Sequence, residues 1–137
     1  MTQEILVNWK GKMSFDTVID GHELTIDAAP EHGGKNAGPR PKQLLLLALS
    51  GCTAMDVVSL SEKMRAGLER FSVKVEATLS DEHPKRYLTI TLYFICEGKT
   101  IDQDKIKKAV TMSEEKYCGV WATLRDSVKV NYKIMFP

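Results

Sequence analysis

Two cysteines, Cys52 and Cys118, lie 66 positions apart and could form a peroxide-reducing redox pair. In such a pair one thiolate attacks the O–O bond of a peroxide and becomes a sulfenic acid, which the second thiol converts into a disulfide. Because a free cysteine has a pKa of about 8.5, a cation or a helix N-terminus must lower that pKa. Cys118 follows Lys116 by two positions and precedes a possible helical turn, and both features favour a thiolate. The alternative is that both cysteines are inert core residues, as a lone cysteine in an apolar helix usually is.

Charged residues close to Cys52 in the sequence bear on whether its thiolate is stabilised. Asp56 follows four positions later and shares a helix face with Cys52, so an ionised carboxylate would oppose the thiolate. Asp56 could instead pair with an arginine or lysine, or bond backbone groups. Arg40 is the nearest arginine in sequence and lies in a glycine-rich loop. Cys96, at the end of an apolar strand, is interpreted as a core residue.

A long helix, predicted over residues 41–65, places Cys52 near its middle. Pro41 suits the first turn of a helix, and Gly67 stands where a C-terminal cap is expected. The N-terminal half of this helix is apolar on every side, so it cannot be a surface helix with one wet face. One short chain offers too little structure to enclose it. The pattern therefore predicts that a second copy does so, in a homodimer.

The other elements follow from alternating or helical patterns of apolar residues. Their order, β-β-β-α-β-β-α-β, predicts an α+β fold in which antiparallel strands carry the helices. A glycine-rich and proline-rich loop over residues 28–41 is either functional or a flexible connector. The first three predicted strands, over residues 3–9, 13–19 and 22–27, should form a meander, and those over 71–79 and 86–96 a hairpin. A helix capped by Asp102 or Thr100 should run to about Lys116, followed by further helical turns over 120–124 and a last strand over 127–135.

Composition narrows the class of protein. The length of 137 residues predicts one domain. The net charge is +1 and no basic block stands out, so the charge does not indicate binding to nucleic acid or to an anionic membrane. No uninterrupted apolar run reaches the ~20 residues that cross a bilayer. The first residues lack the apolar core of a signal peptide, which predicts a cytoplasmic protein. Neither the three cysteines nor the three histidines have the spacing of a disulfide framework or metal site, so no metal is expected.

Three separated segments carry a resemblance to a known family. GPRPKQLLLLALSGCTAMDVVSLSEKMR, EHPKRYLTITLYFICEG and YCGVWATL together resemble the OsmC/Ohr family, named for osmotically inducible protein C and organic hydroperoxide resistance protein. The resemblance implies an intertwined homodimer, with two long central helices, sheets that wrap both subunits and active sites at the interface. It also implies thiol-dependent reduction of organic hydroperoxides in the oxidative stress response, with no cofactor and with lipoyl-type dithiols as reductant. By resemblance Cys52 is the peroxidatic cysteine and Cys118 the resolving one.

The chain departs from the family's peroxidases at the residues that support the first cysteine. Those peroxidases carry a glutamate ten residues before it, which orients a catalytic arginine, whereas here that position is Lys42, followed by Gln43. The arginine of those peroxidases comes from a segment upstream of the long helix, yet residues 1–39 of this chain contain no arginine. Arg40, Lys42, Gln43 and Asp56 are therefore the candidate supporting residues. The alternatives are a dimer that binds a small apolar ligand in the interface cleft without peroxidase chemistry, or thiol chemistry on another electrophile.

Overall fold

A three-stranded antiparallel meander begins the chain, as predicted. The computed structural model describes residues 1–137, which divide into two units, Met1–Leu46 and Leu47–Pro137. In the first unit the strands β1 (Asn8–Trp9), β2 (Phe15–Ile19) and β3 (His22–Ile26) pair in the order β1-β2-β3. β1 is much shorter than the predicted 3–9. Asp20 and Gly21 form the turn between β2 and β3 with φ values of 50° and 82°, the left-handed conformation of a tight hairpin turn.

The glycine-rich loop after β3 is organised around one buried carboxylate. Asp27, only 3% exposed, accepts hydrogen bonds from the backbone N–H groups of Ala28 (2.7 Å), Lys35 (3.1 Å) and Ala37 (3.1 Å). These bonds close the loop on itself around a single 3₁₀ turn at Pro30–His32. The donors, led by Ala37, hold the pKa of Asp27 below its usual value despite burial. The loop is therefore a built structure rather than a loose connector.

The helix α1 (Pro41–Met64) has the bounds that the sequence predicts to within one residue. At its start the backbone N–H of Arg40 donates to Oε1 of Gln43 at 3.0 Å, which is one half of a capping box. At its end Arg65 takes the left-handed conformation, with φ of 54°. The predicted cap, Gly67, is also left-handed but lies two residues farther on.

α1 buries only a narrow stripe of its surface within one chain. The buried side chains recur every fourth residue, at Leu49, Thr53, Val57 and Ser61. Large apolar side chains elsewhere on the helix are exposed, at Leu45, Leu47, Met55 and Val58. An apolar stretch of 18 residues in α1 has a mean hydropathy of 1.8 and is 22% buried. By length and composition alone, α1 could therefore cross a membrane. Core helices of soluble proteins have the same length and composition, so this is weak evidence for a membrane span.

The second unit contains a three-stranded sheet that is not wholly antiparallel. Its strands β4 (Arg70–Leu79), β5 (Tyr87–Glu97) and β6 (Lys129–Met135) are ordered β4-β5-β6. β4 and β5 form the predicted antiparallel hairpin, but β6 pairs parallel to β5, with Thr89 opposite Lys129. The prediction of antiparallel strands throughout was therefore wrong at β6. The helical segment between β5 and β6 is long enough for the crossover that a parallel pair requires.

That crossover contains the helices α2 (Gln103–Met112) and α3 (Gly119–Leu124), joined by a wider helical turn at Ser113–Tyr117. Asp102 caps α2 as predicted, because its side chain accepts a hydrogen bond from the N–H of Lys105 at 3.2 Å. The core of this unit combines one face of β5 with one face of α2 and a tryptophan of α3. Its buried apolar side chains include Ile90, Leu92, Phe94, Cys96, Ile106, Ala109, Val110 and Trp121.

Candidate functional site

The structure brings Cys52 and Cys118 together. Cys52 lies on α1, and Cys118 is the residue immediately before α3. The sulfur atoms of both cysteines and a carboxylate oxygen of Asp56 all lie within 4.8 Å of one another. Both thiols are free. All three residues belong to the second unit, and the helical crossover after β5 is what carries Cys118 to α1.

The two thiols differ in exposure. Cys52 is half-buried, whereas Cys118 is only 3% exposed. The backbone fixes Cys118 at both ends: its N–H donates to the carbonyl oxygen of Ser113 at 2.9 Å, and its Sγ accepts from the N–H of Trp121 at 3.3 Å. A reagent from solvent therefore reaches Cys52 more easily than Cys118.

Burial decides the protonation state of Cys118. It raises the pKa of the Cys118 thiol to about 11, and the hydrogen bond and charge of Cys52 act in the same direction. The N–H groups of Trp121 and Val120 at the start of α3 lower that pKa but are outweighed. The prediction that Lys116 and a helical turn favour a Cys118 thiolate was therefore wrong. The helical turn is present, but burial has the larger effect on the pKa, and Cys118 is a neutral thiol at pH 7.

Asp56 is held by a residue that the sequence analysis did not single out. The buried hydroxyl of Ser113 donates to Oδ2 of Asp56 at 2.8 Å. None of the ion pairs in the chain involves Asp56, so the expected pairing with an arginine or lysine is not what holds it. The sequence pattern could have identified Ser113, because this residue lies one helical turn after the buried Ala109 and Val110 of α2. A polar residue on an apolar helix face needs a partner.

The other candidate supporting residues lie at or before the start of α1. Nη1 of Arg40 donates to Oδ1 of Asn36 at 2.6 Å and to the carbonyl oxygen of Gly38 at 3.1 Å. Gln43 caps the helix through the backbone of Arg40, as described above. Lys42 is exposed in the first turn of α1. Arg40 and Gln43 thus have structural roles in the first unit.

Cys96 is separate from this cluster. It is 1% exposed on β5, and burial raises its pKa to about 11. Its interpretation as a core residue agrees with both observations.

A pocket of about 300 Å³ lies in the first unit. Apolar side chains such as Met13 and Phe15 line most of it, and its polar lining residues are Asp27, His32 and Arg40. Its lining is suited to a small, mainly apolar molecule.

Comparison with known proteins gives one consistent result. A family model described as "OsmC-like protein" matches residues 33–133. Protein YhfA of Escherichia coli strain K12 is 32% identical over 127 residues, which cover 92% of each chain.

Solved structures show the same likeness. An OsmC-like protein from Mycoplasma pneumoniae superposes with a TM-score of 0.83 at 18% identity, covering 99% of this chain and 97% of the other. An organic hydroperoxide resistance protein from Elizabethkingia anophelis, with thiocyanate bound, superposes with a TM-score of 0.70 at 17% identity, covering 100% of this chain and 99% of the other. At these identities the two superpositions show a shared fold.

Proposed function

This chain belongs to the OsmC-like protein family, and from that premise we propose that it is a cytoplasmic thiol peroxidase that reduces organic hydroperoxides. In this proposal Cys52 is the peroxidatic cysteine and Cys118 the resolving cysteine. The oxidised pair is regenerated by an external dithiol of the lipoyl type. Solved structures of similar fold include proteins named for organic hydroperoxide resistance, from Legionella pneumophila and Elizabethkingia anophelis, which supports the choice of substrate class.

The observation that carries the proposal is the pairing of one accessible thiol with one buried thiol less than 5 Å away. The sulfurs of Cys52 and Cys118 lie within 4.8 Å, although the residues are far apart in the chain. Redox-active cysteines that react with peroxides are solvent-accessible and often lie beside a resolving cysteine. The half-buried Cys52 fits the first role, and the buried Cys118 fits the second.

The reaction divides into three balanced steps. The Cys52 thiolate attacks the outer oxygen of the hydroperoxide, the O–O bond breaks, and the alkoxide takes up a proton and leaves as an alcohol. Cys52 is then a sulfenic acid. Cys118 attacks its sulfur, the S–O bond breaks, and the hydroxyl group leaves with the Cys118 proton as water. The resulting disulfide takes two electrons and two protons from the external dithiol, which becomes a disulfide in turn.

A homodimer is part of the same proposal. On α1, Met55 is 76% exposed and Leu47 is 63% exposed, and an apolar stretch of 18 residues in this helix is only 22% buried. Exposed apolar surface of this extent on one element is typical of a protein interface. A second copy placed against α1 would bury these side chains.

The test is turnover of cumene hydroperoxide by metal-free protein with dihydrolipoamide as reductant. We expect wild-type protein to consume peroxide and Cys52→Ser to lose that activity entirely. In the absence of dihydrolipoamide, Cys118→Ser should react once and accumulate a Cys52 sulfenic acid that dimedone traps. Cys96→Ala is the matched control, because Cys96 lies outside the cluster, and it should keep its turnover. Full turnover by Cys52→Ser would reject the mechanism.

A second candidate function is the binding of a small apolar ligand without peroxide chemistry. The pocket of about 300 Å³ in the first unit favours it. The replacement of the family's glutamate by Lys42 favours it as well. Native mass spectrometry of the purified protein distinguishes the two: a co-purified apolar molecule together with no peroxide turnover would select ligand binding.

A further inference from the structure

Cys52, Asp56 and Cys118 together form a set of metal-ligating atoms that the sequence does not reveal. Two sulfurs and one carboxylate oxygen lie within 4.8 Å of one another. In a tetrahedral zinc site with Zn–S bonds of about 2.3 Å and Zn–O bonds of about 2.1 Å, neighbouring ligand atoms are about 3.5–3.8 Å apart. Small side-chain rotations would bring the three atoms to that spacing. From this arrangement we propose that the reduced protein binds one Zn²⁺ ion through these three residues.

The local charges favour a cation here. A thiolate at Cys52 or Cys118 would stand beside the Asp56 carboxylate, which opposes it, and no ion pair in the chain neutralises Asp56. Deprotonated, the three ligands carry three negative charges. A divalent ion offsets two of them and removes the conflict between carboxylate and thiolate.

The ligand chemistry suits zinc, which thiolates and a carboxylate bind well. Two thiolates exclude the hard cations Mg²⁺ and Ca²⁺, which take oxygen ligands. Three protein ligands leave a fourth tetrahedral position for water or another small ligand. The half-buried Cys52 gives that position a route to solvent.

Residues that hydrogen-bond to the proposed ligands hold them in place, as residues around metal sites commonly do. The Ser113 hydroxyl fixes Oδ2 of Asp56 at 2.8 Å. The N–H of Trp121 donates to Sγ of Cys118 at 3.3 Å. Cys52 and Asp56 are themselves four residues apart on α1, so one helix face presents both.

The experiment is a titration of reduced, chelator-treated protein with Co²⁺ and Zn²⁺ in the absence of peroxide. We expect one Co²⁺ ion per chain, strong near-ultraviolet absorption from sulfur-to-cobalt charge transfer, and the visible bands of a tetrahedral ion. Zn²⁺ should displace Co²⁺ and bleach both signals. Competition with a chromophoric chelator then gives the Zn²⁺ affinity.

Variants separate the three-ligand site from adventitious binding. Cys52→Ser and Cys118→Ser each remove one thiolate ligand, so each should bind Co²⁺ more weakly and show a smaller charge-transfer band per bound ion. Because loss of a supporting partner already costs about 10–100-fold in metal affinity, Asp56→Asn should weaken Zn²⁺ binding by at least about 100-fold. Ser113→Ala should weaken it by about 10–100-fold. Glu62→Gln is the matched control, since it makes the same charge change at an exposed position of α1 and should leave the affinity unchanged.

Circular dichroism and thermal unfolding of each variant confirm that it is folded before its affinity is interpreted. The absence of stoichiometric Co²⁺ or Zn²⁺ binding to wild-type protein would overturn the inference. Undiminished affinity in Asp56→Asn would also overturn it, since the site would then lack its third ligand. Peroxide turnover is measured on metal-free protein and zinc binding without peroxide, so failure of one proposal is distinguishable from failure of the other.

Discussion

The three cysteines occupy different environments, and these environments set their reactivity. Cys52 is half-buried on α1, whereas Cys96 and Cys118 are 1% and 3% exposed, each with a pKa raised to about 11 by burial. At pH 8 a thiol of that pKa is ionised in roughly one molecule in a thousand. Low exposure and a small thiolate fraction therefore both reduce the rate at which Cys96 and Cys118 react with electrophiles.

This difference predicts the order of alkylation in reduced, metal-free protein. Iodoacetamide at pH 8 should modify Cys52 first and leave Cys96 and Cys118 largely unmodified in the folded chain. Raising the pH from 8 to 10 should increase the thiolate fraction of a thiol of pKa about 11 by roughly 100-fold, so the buried sites should begin to react. Peptide mapping by mass spectrometry, after unfolding and a second alkylating label, measures each site. Modification of Cys118 ahead of Cys52 would contradict the assignment of the accessible thiol.

The Asp56–Ser113 pair shows how much a residue's role depends on a distant partner. Four-residue spacing correctly places Asp56 on the same face of α1 as Cys52. The spacing cannot show that Ser113, 57 positions away, donates the hydrogen bond that orients the carboxylate. Local spacing thus predicts which residues share a face, whereas the partner depends on how α1 and the crossover helices pack.

At the scale of elements, the loop that precedes α1 depends on Asp27. Three backbone N–H groups, on Ala28, Lys35 and Ala37, donate to its carboxylate, and they hold its pKa below the ordinary value of 3.8. An acid whose pKa is lower in the folded chain stabilises that chain at pH values above its unfolded pKa. This stabilisation is lost as the pH falls from about 4 through the folded pKa.

We therefore expect Asp27→Asn to lower the melting temperature at pH 7. An asparagine has one acceptor oxygen and would turn an NH₂ group towards backbone donors. The difference in melting temperature between wild type and variant should shrink as the pH falls below about 4, because the wild-type carboxyl group is then protonated too. Thermal unfolding followed by circular dichroism at several pH values measures this. Asp20→Asn is the control, because Asp20 is exposed and asparagine tolerates its left-handed backbone. Equal melting temperatures for wild type and Asp27→Asn at pH 7 would refute the role given to Asp27.

At the scale of the whole molecule, the exposed apolar side of α1 predicts association. Met55 is 76% exposed in one chain, so Met55→Glu should leave the fold of that chain intact while placing a charge in the proposed dimer interface. We expect wild-type protein to be a dimer at micromolar concentration and Met55→Glu to be largely monomeric. Size-exclusion chromatography with light scattering measures the mass.

Lys107→Glu, an exposed charge change on α2, is the control for this experiment and should remain dimeric. Circular dichroism should show that all three proteins are folded. A wild-type monomer would remove the basis for the dimer, and a dimeric Met55→Glu would show that the interface does not include this side of α1.

The sequence alone determined the elements and the family. The bounds of α1, the meander, the β4–β5 hairpin and the Asp102 cap follow from patterns within 25 or so residues, where backbone preference and burial act locally. The resemblance carried by the three segments also assigned Cys52 and Cys118 as partners. Their closeness in the structure agrees with that assignment.

Only the tertiary structure decided what depends on distant chain segments. The parallel pairing of β6 is set by the path of the crossover, and the raised pKa of Cys118 is set by the depth at which that crossover buries it. Arg40 and Gln43, candidates for support of a thiolate, form loop and cap contacts at the start of α1 instead. The cluster of Cys52, Asp56 and Cys118 arises for the same reason: patterns in a sequence report which face a side chain occupies, and packing alone brings distant side chains to the same place.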